Sequence, residues 1–199
     1  ELDVQVDLLD TDGKRFLRIS NENSAGETEG VEYFNLKAGT YYASLHIPEN
    51  VSTPMSGTYS VSVYFTPVNN NDTEPNDTFA QANAIQANDE VTGHIGYYGN
   101  GSTDMRDYYL VTLPKDGSLT VTLEPDGTGN TDLYLYDSEI INQIRHSTSN
   151  GNGEVDSLTY SNLAAGQYFI LVHNTSEYSS YNLITDFTEA LYGDDEPND

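Results

Sequence analysis

The chain contains no cysteine and no tryptophan, and only 7 of its 199 residues are lysine or arginine. Without cysteine there is no disulfide framework, no thiol nucleophile and no thiolate metal site. The scarcity of cations leaves 32 acidic residues against 7 basic ones, a formal net charge of -25. A surface of that sign repels phosphate backbones and anionic headgroups, so no nucleic acid and no membrane insertion are expected. No apolar run reaches the roughly 18 residues of a spanning helix, and no signal peptide is visible. His46, His94, His146 and His173 show no HExxH or other paired ligand spacing. No G-x-S-x-G, P-loop or dinucleotide fingerprint occurs either, so the chain is expected not to be an enzyme.

What the chain does have is 36% apolar residues, chiefly Val, Ile, Leu, Tyr and Phe in short alternating runs that suit strands. The bulk of the acidic charge reads as a solvated surface. The exceptions are clusters, and one of them occurs twice. Glu74-Pro75-Asn76-Asp77 returns as Glu196-Pro197-Asn198-Asp199, 122 positions later. Sliding the chain by 127 lays Tyr33, Asn35, Leu36, Gly39, Tyr41 and His46 on Tyr160, Asn162, Leu163, Gly166, Tyr168 and His173. After His46 the offset falls to 122, as a five-residue insertion around Pro48 to Met55 requires, and Tyr59 and Phe65 meet Tyr181 and Phe187. Two copies of one unit explain this economically.

The expected organisation is the back half of a first repeat at 1–68, a linker at 69–73, a full repeat at 74–191, and a linker leading into a further repeat at 192–199. A half-sandwich exposes sheet edges and apolar side chains. Residues 1–68 are therefore expected to lean on the second copy, on another chain or on upstream sequence.

Within the second copy, Thr78 to Ala84 reads as one or two helical turns with Asp77 in the N-cap position. Strands are expected at Tyr108–Leu113, Ser118–Leu123, Asp132–Asp137, Ser157–Tyr160, Gln167–Val172 and Tyr181–Asp186. Leu119, Val121 and Leu123 alternate with Thr120 and Thr122, giving one buried and one wet face. Such strands with Gly, Asp and Asn turns predict an all-β fold of antiparallel, jelly-roll-like β-sandwich repeats. Asp10-Thr11-Asp12-Gly13 reads as a tight hairpin turn, because the rest of a calcium-loop pattern is absent.

The series EPND-T-F-x-x-A-x-x-I, G-x-I, D-x-x-D-Y-Y, D-L-Y-L-Y-D and L-x-A-G-x-Y-F-I-L-V resembles the bacterial pre-peptidase C-terminal domain. That family includes the collagen-binding domains of clostridial collagenases. The resemblance covers nearly all of the second copy, the back half of the first, and the last residues of the chain. It implies a secreted or cell-surface sandwich appended to an exoenzyme or strung along a large surface protein. It also implies a calcium ion held by the leading linker and a later aspartate pair. The matching positions are Asp72, Glu74, Asn76 and Asp77 with Asp104 and Asp107.

Those residue types suit the ion, since Ca²⁺ takes six to eight oxygens from carboxylates, carbonyls and water. Asp72, Glu74 and Asn76 alternate, so an extended linker would turn all three to one side. Asp77 adds a carboxylate, or simply caps the turn. Asp104 and Asp107 would converge from the sandwich, or are solvated turn residues. Asp194, Glu196, Asn198 and Asp199 repeat only the linker half of the arrangement. The expected role is a non-catalytic, calcium-stabilised spacer or accessory module whose partners are adjacent repeats of the same polypeptide. The alternative is an adhesin or targeting domain for collagen-like protein or polysaccharide. Tyr134, Tyr136, Tyr168, Tyr178, Tyr181 and Tyr192 are the tyrosines weighed as outward-facing for that alternative, against ordinary packing between strands.

Overall fold

The structure is a computed structural model that describes residues 2–48, 56–67, 72–126, 129–139, 142–148 and 151–191. The expected linker and repeat start at 192–199, the linker residues 69–71, and the insertion residues 49–55 lie outside the described residues. The elements in chain order are β1 (Gln5–Leu9), β2 (Phe16–Ser20), β3 (Tyr42–His46), a 3-10 turn (Phe79–Gln81), β4 (Asn83–Ile85), β5 (Asp89–Ile95), β6 (Tyr98–Gly99), β7 (Ser102–Thr103), β8 (Arg106–Leu113), β9 (Gly117–Pro125), β10 (Asn130–Asp137), β11 (Gln143–Ser147), β12 (Asp156–Leu163), β13 (Gly166–Ser176) and β14 (Ser179–Glu189). The fold is all-β. The chain divides into two compact units: residues 1–68 with 97–103, and residues 69–96 with 104–199.

The second unit is a sandwich of a five-stranded sheet, β11-β10-β13-β8-β4, and a four-stranded sheet, β12-β9-β14-β5. The cause is visible in the side-chain period of two. Leu119, Val121 and Leu123 of β9 are fully buried while the residues between them are not, and Leu133 and Leu135 of β10 repeat the pattern. With Val111, Ile170, Val172 and Leu183 they form one apolar core between the sheets. Each such side chain contributes about 1.5–3 kcal/mol of burial free energy.

Two expectations are corrected. The Thr78 to Ala84 helix shrinks to the 3-10 turn, because Asn83, Ala84 and Ile85 instead pair with Tyr109, Leu110 and Val111. That pairing is parallel, the one departure from antiparallel order among the named strand pairs. The cap position falls on Thr78, not Asp77. Thr78 makes no side-chain cap; its hydroxyl donates to Gln81 Oε1 at 2.6 Å.

The first unit is a three-stranded sheet, β2-β1-β3, together with the β6–β7 hairpin at 97–103, whose Tyr98 brackets Asn35 and Lys37 through backbone bonds of 2.7 and 2.9 Å. Asp10 to Gly13 is the expected hairpin turn: Gly13 has φ of 65° and its N–H donates to Asp10 O at 2.8 Å. Sheet register reproduces the offset of 127 found in the sequence. Val6 faces Ser20 and Leu9 faces Phe16 across a bulge, as Leu133 faces Ser147 and Tyr136 faces Gln143. Gln5 faces His46 and Leu9 faces Tyr42, as Asp132 faces His173 and Tyr136 faces Phe169. Smaller details repeat too. Asn35 and Asn162 have φ of 65° and 64°. Tyr41 and Tyr168 each donate a hydroxyl to the carbonyl four residues back, Lys37 O and Ala164 O.

Candidate metal centre

The segment 72–77 crosses the rim of the second unit and is tied down by backbone bonds. Asp72 N–H donates to Thr92 O (3.1 Å) in the middle of β5, and Asn76 O accepts from Tyr108 N–H (3.0 Å) of β8. Asn83 Nδ2 donates to Thr73 O at 3.0 Å. On the other side, the Asp104 carbonyl accepts from Gly96 N–H at 2.8 Å, which fixes the approach to β8, and Asp107 is the second residue of that strand.

These anchors bring the carboxylates together. Glu74, Asp104 and Asp107 can each place an oxygen within 4.8 Å of the others. Asp72, Glu74 and His94 form a second such group, so Glu74 is common to both. Asp104 and Asp107 are fully buried. Of the six predicted residues the structure therefore converges Asp72, Glu74, Asp104 and Asp107. Asp77 lies between buried Asn76 and the 3-10 turn and belongs to neither group.

Asn76 is also fully buried. Its amide orientation is assigned from its neighbours. With Nδ2 turned inward it donates to Asp107 Oδ1 (3.0 Å) and Glu74 Oε2 (3.2 Å), while its oxygen accepts from Asn83 Nδ2 (2.9 Å). In that orientation Asn76 positions two carboxylates rather than adding an oxygen beside them.

Like charges at this spacing in a buried site disfavour ionisation. Burial, then the neighbouring Glu74, pushes Asp72 from 3.8 up to about 7. Burial and the adjacent Asp104 push Asp107 well above the carboxylate range, while the Tyr181 hydroxyl works against that rise. Tyr181 donates to Asp107 Oδ2, and its oxygen lies 2.7 Å from the Tyr109 hydroxyl. Room for this pair comes from Gly93, where a Cβ would stand 2.3 Å from Tyr181 Oη and 2.8 Å from Tyr109 Oη.

Sequence reasoning missed His94, Tyr109 and Tyr181 as members of this site. His94 Nδ1 is 3.8 Å from Asp72 Oδ1, although the two are 22 positions apart. Strand alternation in β5 could have placed His94 opposite its buried neighbours, but not beside Asp72. Tyr181, weighed as outward-facing, is 3% exposed. Tyr192 and the terminal cluster Asp194, Glu196, Asn198 and Asp199 lie outside the described residues. No helix among the described residues is long and apolar enough to cross a membrane.

No curated protein sequence matches the chain. Among solved structures the chain is similar to the pre-peptidase C-terminal domain of a collagenase from Bacillus anthracis, at 19% identity and TM-score 0.44, over 53% of this chain and 94% of that one. It is similar to PliG of Aeromonas hydrophila, a periplasmic inhibitor of g-type lysozyme, at 17% identity and TM-score 0.35, over 54% and 97%. It is also similar to the K3 cleaved adhesin domain of Lys-gingipain from Porphyromonas gingivalis, at 15% identity and TM-score 0.37, over 51% and 74%. A family model gives the sharper match: residues 106–174, the stretch from β8 into β13, match the bacterial pre-peptidase C-terminal domain.

Proposed function

We propose that the chain is a non-catalytic, extracellular accessory or spacer module whose second unit is stabilised by Ca²⁺ bound among Asp72, Glu74, Asp104 and Asp107. The observation that carries the calcium reading is the burial of Asp104 and Asp107 beside Glu74 with their oxygens within ligand-sharing distance. Buried like-charged carboxylates cost folding free energy unless a cation or a proton neutralises them. Hard oxygen donors of this number and charge favour Ca²⁺ over softer metals. Asn76 holds Asp107 and Glu74 in place through its Nδ2 in the ion-free state, and with the ion bound the opposite amide orientation would present its oxygen alongside the carboxylates. The accessory role draws on the matched family, whose domains accompany catalytic domains without performing the chemistry.

The site would clamp the segment leading into the sandwich onto the rim of the fold, stiffening the connection to whatever precedes it. Calorimetry with Ca²⁺ and with excess chelator tests this. A melting transition of the second unit that rises with Ca²⁺ supports it; identical transitions sink it.

A second reading, capture of extracellular protein or polysaccharide, is favoured by an aromatic patch on the five-stranded sheet. Phe79 packs on Tyr108 with ring centres 4.2 Å apart, and on Tyr136 and Phe169 edge to face. Tyr134 stacks beside Tyr136. Sedimentation with insoluble collagen and glycans, using the Tyr134→Ala and Tyr136→Ala variants as controls, separates the two readings.

A further inference from the structure

The first unit holds the same strand sequences as the second but forms only some of the strands. The equivalents of β10, β11 and β13 are β1, β2 and β3, and these pair with one another in the same register. The equivalent of β12 is 29–36 and that of β14 is 57–67, and neither forms a strand. The division follows a rule. In the second unit β12 pairs with β9, and β14 lies between β9 and β5. Every strand missing from the first unit is one whose neighbours belong to the front half of the repeat.

The side chains tell the same story. Tyr181 and Leu183 are buried in β14, but their counterparts Tyr59 and Val61 are 65% and 51% exposed. Val63 and Phe65, on the same alternating face, are 82% and 80% exposed. An apolar cleft of about 260 Å³ lined by Leu2, Val4, Leu45 and Tyr59 opens in this unit. Leu45 corresponds to Val172, which is wholly inside the core of the second unit. The outer edge of β3 is the counterpart of the β13 edge that takes β8, where His173 pairs with Arg106 and Phe169 with Leu110.

The geometry points to one occupant for this face: a polypeptide segment carrying front-half strands of the same repeat type, the counterparts of β4, β5, β8 and β9. One strand would add to the edge of β3. Two others would receive 57–65 between them, turning that segment into a strand by main-chain pairing while its apolar face is covered. The matching register of the two units carries this assignment, and no ion enters it.

The test places residues 72–127 directly ahead of Glu1 of the full 199-residue chain, the spacing set by the offset of 127, and follows amide hydrogen exchange. The expected result is slowing of at least about 100-fold at Tyr59 to Phe65 and at the β3 amides, with loss of hydrophobic-dye binding. Unchanged exchange there overturns the proposal. A control with Leu119→Asp, Val121→Asp and Leu123→Asp in the added segment should restore fast exchange; protection by the control also overturns it. So does protection of the same amides in the parent chain that rises with concentration alongside dimer formation, since the occupant would then be a second copy.

Discussion

The two units share a strand register at a sequence offset of 127 and differ in closure. Where the front-half strands are present, the pattern gives a closed sandwich with Leu119, Leu123, Leu133 and Leu183 fully buried. Where they are absent, it gives a three-stranded sheet, and 11 of the 15 exposed large hydrophobics of the described residues fall in residues 1–68. Among the described residues of that unit the buried apolar side chains are Leu9, Pro48 and Tyr97. Identical registers in β2-β1-β3 and β11-β10-β13 show which pairings depend on local sequence. The unformed counterparts of β12 and β14 show that alternation alone does not make a strand. A strand is a pairing, and propensity counts only when a neighbour supplies hydrogen bonds and cover.

The largest way to break the comparison is to remove equivalent core side chains. Leu135→Ala should cost the second unit about 2–5 kcal/mol, because the side chain is fully enclosed and leaves a cavity. Its counterpart Leu8→Ala, at a half-buried position, should cost the first unit under about 1 kcal/mol. Urea unfolding followed by residue-resolved NMR reads both. Equal losses would mean that the first unit has a closed core in solution.

Calcium removal comes next. If the ion binds as proposed, chelation should lower the stability of the second unit by about 2.7 kcal/mol from a state at 100 times Kd, and leave the first unit unmoved. Asp104→Asn should abolish that response. Calorimetry in both conditions checks it.

Gly93→Ala tests the tyrosine pair beneath the carboxylates. The added methyl meets Tyr181 Oη and Tyr109 Oη, so a loss of about 1–3 kcal/mol in the second unit is expected by thermal denaturation. Acidity offers a weaker handle with a definite sign. Asp72 binds its proton up to about pH 7 when folded but releases it near 3.8 when unfolded. Between those values the ion-free folded state holds more protons, so its stability contribution falls as pH rises from 3.8 toward 7. Asp72→Asn should flatten the ion-free melting temperature over that window, and a slope unchanged from the parent would refute the assignment.

Much of this was legible in the sequence because it was periodic. The β9 alternation and the offset of 127 are local patterns that reappear in strand burial and register, while of the acidic residues singled out the fold gathers Asp72, Glu74, Asp104 and Asp107 but not Asp77. The 3-10 turn was overread as a helix because Ala82 and Ala84 have helical propensity, whereas pairing of β4 with β8 decides the outcome. His94 and Tyr181 could not be assigned to the site from spacing, since only the fold carries β5 and β14 to the rim near Asp72 and Asp107. The burial of Asn76 and its bonds to Asp107, Glu74 and Asn83 were not legible from spacing either, because they depend on how the 72–77 segment lies against β8.

The smallest effect gives the most discriminating test of what is local. Asn35 and Asn162 occupy the left-handed region with φ of 65° and 64°, at equivalent turns in the two units. Any residue with a Cβ meets a clash with the following carbonyl there, worth roughly 1–2 kcal/mol; the short asparagine amide offsets much of it by local hydrogen bonding, and alanine has no such compensation. Asn162 sits inside β12, and the counterpart turn at Asn35 is bracketed by Tyr98. If the conformation is imposed by pairing, Asn162→Ala should cost the second unit about 1 kcal/mol, and Asn35→Ala should release the 35–37 bracket in the first unit with a smaller loss of stability. Glycine at either position should restore the parent's behaviour. NMR shifts of Tyr98 and chemical denaturation read the two effects separately. An alanine substitution that is silent at both positions would show that the turn relaxes freely, and that shared backbone geometry in the two copies reflects sequence rather than constraint by the strands around it.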